Sequence, residues 1–221
     1  MLRAGVVALL LAFAASAEGA MAQTAGDDTF LDAARRDDAA AITAMIAAGQ
    51  RVDTRDGDGR TALLIATHAD ALLAAKALVA AGADVNAKDN RQDTPHLYAG
   101  AEGRTAILRL LLASGADLRD TNRFGGTALI PAAEKGHAEN VRLLIAAGVD
   151  VNHVNRLGWT ALLEAVILSD GGPVHQEIVA DLVRGGADVD IPDGGGVTAL
   201  QHARSRGFSA IERLLEAAGA R

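Results

Sequence analysis

The sequence has no cysteine, and its 221 residues include one tryptophan, one tyrosine and four phenylalanines. Without cysteine there can be no disulfide, thiol nucleophile or thiolate metal site. So few aromatic side chains argue against an all-β barrel. The 50% apolar content is mostly Ala, Leu, Val and Ile, which favours thin helical layers. Positive charge is also short: 21 Lys and Arg against 28 Asp and Glu leave a net charge of −7. That balance argues against a nucleic-acid surface or a polybasic membrane patch, since both need clustered cations to displace counterions. With 22% charged residues the chain is neither disordered by composition nor a multi-span membrane protein.

Long apolar runs are missing except at the start, where Arg3 precedes 12 residues from Ala4 to Ala15. Such a run is too short for a membrane-spanning helix, which needs about 20 residues. Followed by Ala20-Met21-Ala22, it predicts a secretory signal peptide over 1–22, with Ala15-Ser16-Ala17 as a competing cleavage site. No Cys follows the run and no Arg pair precedes it, so neither a lipoprotein anchor nor twin-arginine export is expected. The mature chain, 23–221, is expected to be soluble, exported and without a membrane anchor, in a bacterial periplasm or secreted.

Internal repetition decides the fold class. Thr61, Thr94, Thr127 and Thr160 stand 33 residues apart, and Thr198 follows after 38. Gly49, Gly82, Gly115 and Gly148 keep the same spacing, then Gly186 comes after 38 and Gly219 after 33. Both series place five inserted residues in the fifth repeat, around Ser169 to His175. Each Thr suits the N-cap of a short helix, and the Ala after it is a strong helix former. The second helix of each period carries an apolar stripe, as in Ile107-Leu110-Leu111 and Val141-Leu144-Ile145. The following Gly can take the left-handed conformation that ends a helix. The prediction is an all-α repeat solenoid of about six helix-turn-helix repeats with turn tips, near 27–55, 56–88, 89–121, 122–154, 155–192 and 193–221. Such pairs bury their stripes only against neighbouring pairs, and the end repeats act as caps.

The segments Asp56-Gly59-Thr61-Ala62-Leu63, Gly125-Thr127-Ala128-Leu129 and Gly158-Thr160-Ala161-Leu162, with Gly82-Ala83-Asp84-Val85-Asn86, resemble the ankyrin repeat. Pro follows Thr only at Pro95, and Thr94-Pro95-His96-Leu97 inverts the last two residues of the family's usual tetrapeptide. The resemblance implies a non-enzymatic module that binds a protein partner through its turn tips and concave face.

Deviations between repeats nominate the site, because shared residues make the scaffold. Arg123, Phe124, Arg156, Leu157 and Trp159 fall on the tips of the fourth and fifth repeats, and Arg and aromatic residues supply binding hot spots. Trp159 can alternatively fold back as packing. Four residues after Thr160 and Thr198 stand Glu164 and His202, which a regular stack would place side by side. That pair reads as an acid–base couple or as an ordinary buried hydrogen bond. Glu134 and His153, with Asp170 and His175 in the insertion, complete a candidate small-ligand or enzymatic site. No zinc, calcium or phosphate-loop spacing is present, so no metal or cofactor is expected. The expectation is a monomer that holds an envelope or secreted protein, with no nucleic-acid partner. The alternatives are the ligand site between repeats four and six, or neutralisation of a toxin or hydrolase.

Overall fold

A computed structural model describes residues 25–221, and the expected leader, 1–22, lies outside the described residues. The chain divides into two compact units, Met1–Ala83 and Asp84–Arg221. The first unit contains α1 (25–35), α2 (Ala39–Ala47), α3 (Ala62–His68) and α4 (Leu72–Ala80). The second contains α5 (Pro95–Ala101), α6 (Thr105–Ala113), α7 (Leu129–Glu134), α8 (Ala138–Ala147), α9 (Ala161–Ile167), α10 (Pro173–Arg184), α11 (Ala199–Ser205) and α12 (Ser209–Ala217). Among the described residues the β-structure is a single bridge, Arg55 with Thr61. The fold is an all-α repeat solenoid. In the second unit α5, α7, α9 and α11 pack side by side as one layer, and α6, α8, α10 and α12 form another.

The threonine series does what its spacing predicts at four of five positions. The hydroxyls of Thr61, Thr94, Thr160 and Thr198 accept from the backbone N–H three residues on, at 3.2–3.4 Å. Thr127 is the exception, and Pro131 is the cause. In the other repeats the residue four after Thr donates its N–H to the Thr carbonyl, as Glu164 does to Thr160 at 3.0 Å. Proline has no N–H to give. Ile130 N–H turns to the Thr127 carbonyl at 3.3 Å instead, and the buried Thr127 hydroxyl has no partner. Helix α7 is accordingly cut to six residues, Leu129–Glu134.

The five inserted residues do not all enter the link between helices. Two lengthen the turn before α10, and three extend α10 itself to 12 residues, against nine in α4 and α6. The turn is built, not slack: Asp170 Oδ1 accepts from Gly172 N–H at 2.8 Å, and Gln176 donates to the Gly171 carbonyl at 2.8 Å. Arg206, stacked 4.8 Å from the Phe208 ring, donates to the Ser169 carbonyl at 2.7 Å. Gly171 has φ +69° and lies against that ring, so an added Cβ would sit 2.6 Å from Phe208. Gly171→Ala is therefore expected to cost about 2 kcal/mol, from left-handed strain plus overpacking. Urea unfolding measures it. An unchanged midpoint would mean that the turn does not dock on the sixth repeat.

Asparagine side chains join successive repeats at the ends of the second helices. Asn86 donates to the Gly115 carbonyl at 3.1 Å and accepts from Asp117 N–H at 2.8 Å. Asn152 repeats this with the Gly186 carbonyl and Asp188 N–H, at 3.3 and 2.8 Å. One period lies between them, at Arg119, whose guanidinium folds back onto Asp117 instead. Arg119→Asn should supply the missing link and raise Tm by about 2–4 °C. Scanning calorimetry tests this, and a lowered Tm would show that Arg119 serves the junction better than asparagine.

Candidate functional site

Each turn tip is closed by one side chain at the position that opens the repeat motif, as Asp56 does, with a role that the sequence did not assign. Five residues before every Thr stands Asp56, Asp89, Asn122, Asn155 or Asp193, and its Oδ1 accepts from two N–H groups of its own loop. Asn122 takes Phe124 and Gly126 at 2.9 and 3.1 Å, and Asn155 takes Leu157 and Trp159 at 2.9 and 3.0 Å. This short acceptor inside the loop holds the backbone and leaves the intervening side chains on the surface.

The structure brings the fourth and fifth tips together. Arg156 N–H donates to the Phe124 carbonyl at 2.9 Å, and its Nη1 donates to the Arg123 carbonyl at 2.9 Å. Arg123 in turn sits 4.5 Å over the Phe124 ring, a cation–π contact. Phe124 is 49% and Leu157 57% exposed, while Trp159 is half-buried at the tip base. His153 donates through Nε2 to the Gly125 carbonyl at 2.6 Å, which braces the same junction. The signal for the tip-closing residues was present in the sequence as a further series, Asp or Asn five residues before each Thr.

The other candidates do not converge on one centre. Glu164 and His202 do not touch across a repeat interface: Glu164 Oε1 accepts from Asn155 at 2.8 Å, and His202 Nε2 bonds Asp193 Oδ2 at 2.8 Å. Each reaches the tip-closing residue nine positions earlier in its own repeat, a closer partner than the neighbouring helix offers. Glu164 is buried, and burial, with the nearby Glu134 carboxylate adding to it, pushes its pKa up to about 7. His175 belongs elsewhere, donating through Nε2 to the Glu134 carbonyl at 3.0 Å with Nδ1 3.7 Å from Asp170. Among the described residues no group of three or more His, Asp or Glu is arranged to hold a metal ion.

Residues 30–122 and 101–193 match the family model described as "Ankyrin repeats (3 copies)". The chain belongs to the ankyrin repeat family. An ankyrin repeat domain of Acinetobacter baumannii AYE is 57% identical and superposes with a TM-score of 0.85, over 87% of this chain and 98% of that one. EF0377, another ankyrin repeat protein of known structure, is 43% identical with a TM-score of 0.81, over 85% of this chain and 96% of its own. The ankyrin repeat protein YahD of Escherichia coli (strain K12) is 49% identical over 57 residues, 26% of this chain and 28% of that protein's length. Ankyrin repeats indicate a protein–protein interaction module, and the likeness to bacterial relatives is close. Among the described residues no helix is long and apolar enough to cross a membrane.

Proposed function

We propose that this ankyrin protein is exported, and that it acts as a monomeric, non-enzymatic module holding an envelope or secreted protein against its turn tips and the adjoining first helices. The observation that carries the reading is the tip cluster of Arg123, Phe124, Arg156 and Leu157, ordered by its own hydrogen bonds with both apolar side chains about half in solvent. Exposed large apolar groups beside arginine favour partner burial. Export rests on the 1–22 segment, and bacterial periplasm is the favoured compartment.

The test uses the full chain with a C-terminal tag, so that processing is left to the cell. Mass analysis of the exported product should find a new N-terminus at Gln23. Capture from the periplasmic or secreted fraction should retain a specific protein with the parent and lose it with Phe124→Ala/Trp159→Ala, with helicity by circular dichroism unchanged. A variant that loses helicity and keeps capture would assign the cluster to packing. Failure of the parent to retain any protein would sink the reading. Weight would then move to the site of Glu134, Glu164 and His202, where burial strongly raises the pKa of Glu164, and a melting-shift screen of metabolites and metals would follow.

A further inference from the structure

On a molecule of net charge −7, the tips of the fourth and fifth repeats, Asn122 to Gly126 and Asn155 to Trp159, carry the opposite sign, and the third tip sets Arg91 between Asp89 and Asp93. Arg91, Arg123 and Arg156 are all exposed, one per tip. At the second tip Arg60 holds Asp56, and away from the tips Arg109, Arg142 and Arg204 each hold a carboxylate at hydrogen-bonding distance. At the fourth and fifth tips, by contrast, Arg123 has only Asp93, at 3.9 Å and shared with Arg91, and among the described residues Arg156 has no ion pair. Arg156 is positioned instead by the carbonyl of Arg123, which takes one of its five N–H donors. Burial and the Asp89 carboxylate raise the pKa of Asp93, while Arg123 and Arg91 oppose the rise. Between the arginines, Phe124 and Leu157 present apolar surface. The next tip, Gly194-Gly195-Gly196, has no side chain to crowd a ligand.

We infer that this edge binds an extended protein segment in which carboxylate side chains alternate with apolar ones. The inference rests on the interaction-module reading and adds the chemistry of the partner. A guanidinium fork matches a carboxylate in two parallel hydrogen bonds, and the apolar side chains between them cover Phe124 and Leu157. Because the three arginines come from successive tips, a ligand meeting all of them runs across the tips. Three separated cations on an acidic chain do not match the continuous charge of a nucleic-acid backbone.

Fluorescence polarisation at about 0.15 M salt tests it, since the screening length there is about 8 Å and the local arginines outweigh the net charge. The probes are a dodecapeptide alternating Glu with Leu and Phe, the same peptide with Lys for Glu, and dodecathymidylate. The Glu peptide should bind the full chain at least about tenfold more tightly than either other probe, a preference of the size charge-assisted pairs provide. Arg123→Glu/Arg156→Glu, its fold checked by circular dichroism, should lose about tenfold for the Glu peptide and gain for the Lys peptide. Equal binding of the two peptides, binding of neither, or a preference that survives charge reversal overturns the inference. So does thymidylate bound as tightly as the Glu peptide, which would mark a general anion surface. Should the charge-reversed chain still capture the cellular partner, the interaction module stands and only this partner chemistry fails.

Discussion

Between about pH 5 and about pH 8 the stability of the 84–221 unit should stay level to within about 1 kcal/mol, because two buried groups pull in opposite directions. Glu164 is held protonated by burial, with the Glu134 carboxylate adding to it, and its pKa rises from 4.5 to about 7. Its stabilising effect is complete below 4.5 and is lost as the pH climbs through about 7. His96, buried and bonded through Nδ1 to the Thr94 hydroxyl at 2.9 Å, moves the other way, from 6.5 to about 4. Burial is the cause; the Asp120 and Asp117 carboxylates oppose it and Lys88 assists. That contribution is complete above 6.5 and is lost as the pH falls toward 4. At about 1.4 kcal/mol per pH unit, each is worth about 3 kcal/mol, and over the shared window they nearly cancel. Asp93, raised by burial, sides with Glu164, and His137, lowered by burial, sides with His96.

Single variants should uncover the two slopes. Glu164→Gln keeps an oxygen for Asn155 and cannot ionise, so it should exceed the parent by about 3 kcal/mol at pH 8 and match it near pH 4.5. His96→Asn keeps an acceptor for Thr94, so the loss that His96 contributes on acidification should disappear, and with the Glu164 slope left unopposed stability should rise as pH falls. Urea unfolding followed by the single tryptophan, Trp159, reports on this unit directly. A Glu164→Gln curve parallel to the parent's across the window would show that Glu164 is ionised in the folded protein and solvated by a route its buried side chain does not suggest.

The repeat, its period and its caps were legible because they rest on local chemistry: a hydroxyl for a helix start, a glycine for a helix end. Gly82 and Gly148 adopt φ +85° and +90° as their positions demand. What the sequence did not disclose depends on direction. Register placed Glu164 and His202 on adjacent first helices, but a side chain chooses among neighbours within reach, and both chose their own tip. A proline near a helix start, such as Pro131, costs little by itself, because the first N–H groups of a helix lack acceptors in any case. Its true effect was on the carbonyl that needed its missing N–H, and through that on the Thr127 cap. A further period went unread because it mixes residue types: Asp37, Asp70, Gly103 and Gly136, each 33 apart, all have positive φ in the turns between paired helices. Aspartate tolerates that conformation better than most residues, so the shared backbone was hidden behind two side chains. The tip cluster was legible as residue types at tip positions. Its internal order, with Arg156 bonded to the carbonyls of the preceding tip, was not.

Asn140→Leu should cost about 3 kcal/mol, since it removes the polar link between the third and fourth repeats. Asn140 is fully buried in α8, where most of its neighbours are apolar. Its Nδ2 donates to the Ala99 and Gly100 carbonyls at 3.0 and 3.3 Å, and its Oδ1 accepts from the Thr105 hydroxyl at 2.8 Å. Leucine fills similar space but leaves the Gly100 carbonyl without this donor and sends Thr105 to its weaker contact with Gly103, at 3.3 Å. Asn140→Asp is the sharper probe. An ionised carboxylate there faces two carbonyl oxygens with no proton to offer, so its pKa must rise and the folded state must prefer the neutral acid. Its stability deficit should therefore exceed that of Asn140→Leu at pH 7 and shrink as the pH falls, once the neutral acid can donate to one carbonyl. Urea midpoints at pH 5 and pH 7 separate the two variants. Equal deficits at both pH values would mean that Asn140 holds the junction by its shape alone. Because the tips of these repeats descend from the same junction, weakened partner capture by Asn140→Leu with Phe124 and Trp159 intact would show that binding depends on how this interface sets the tips.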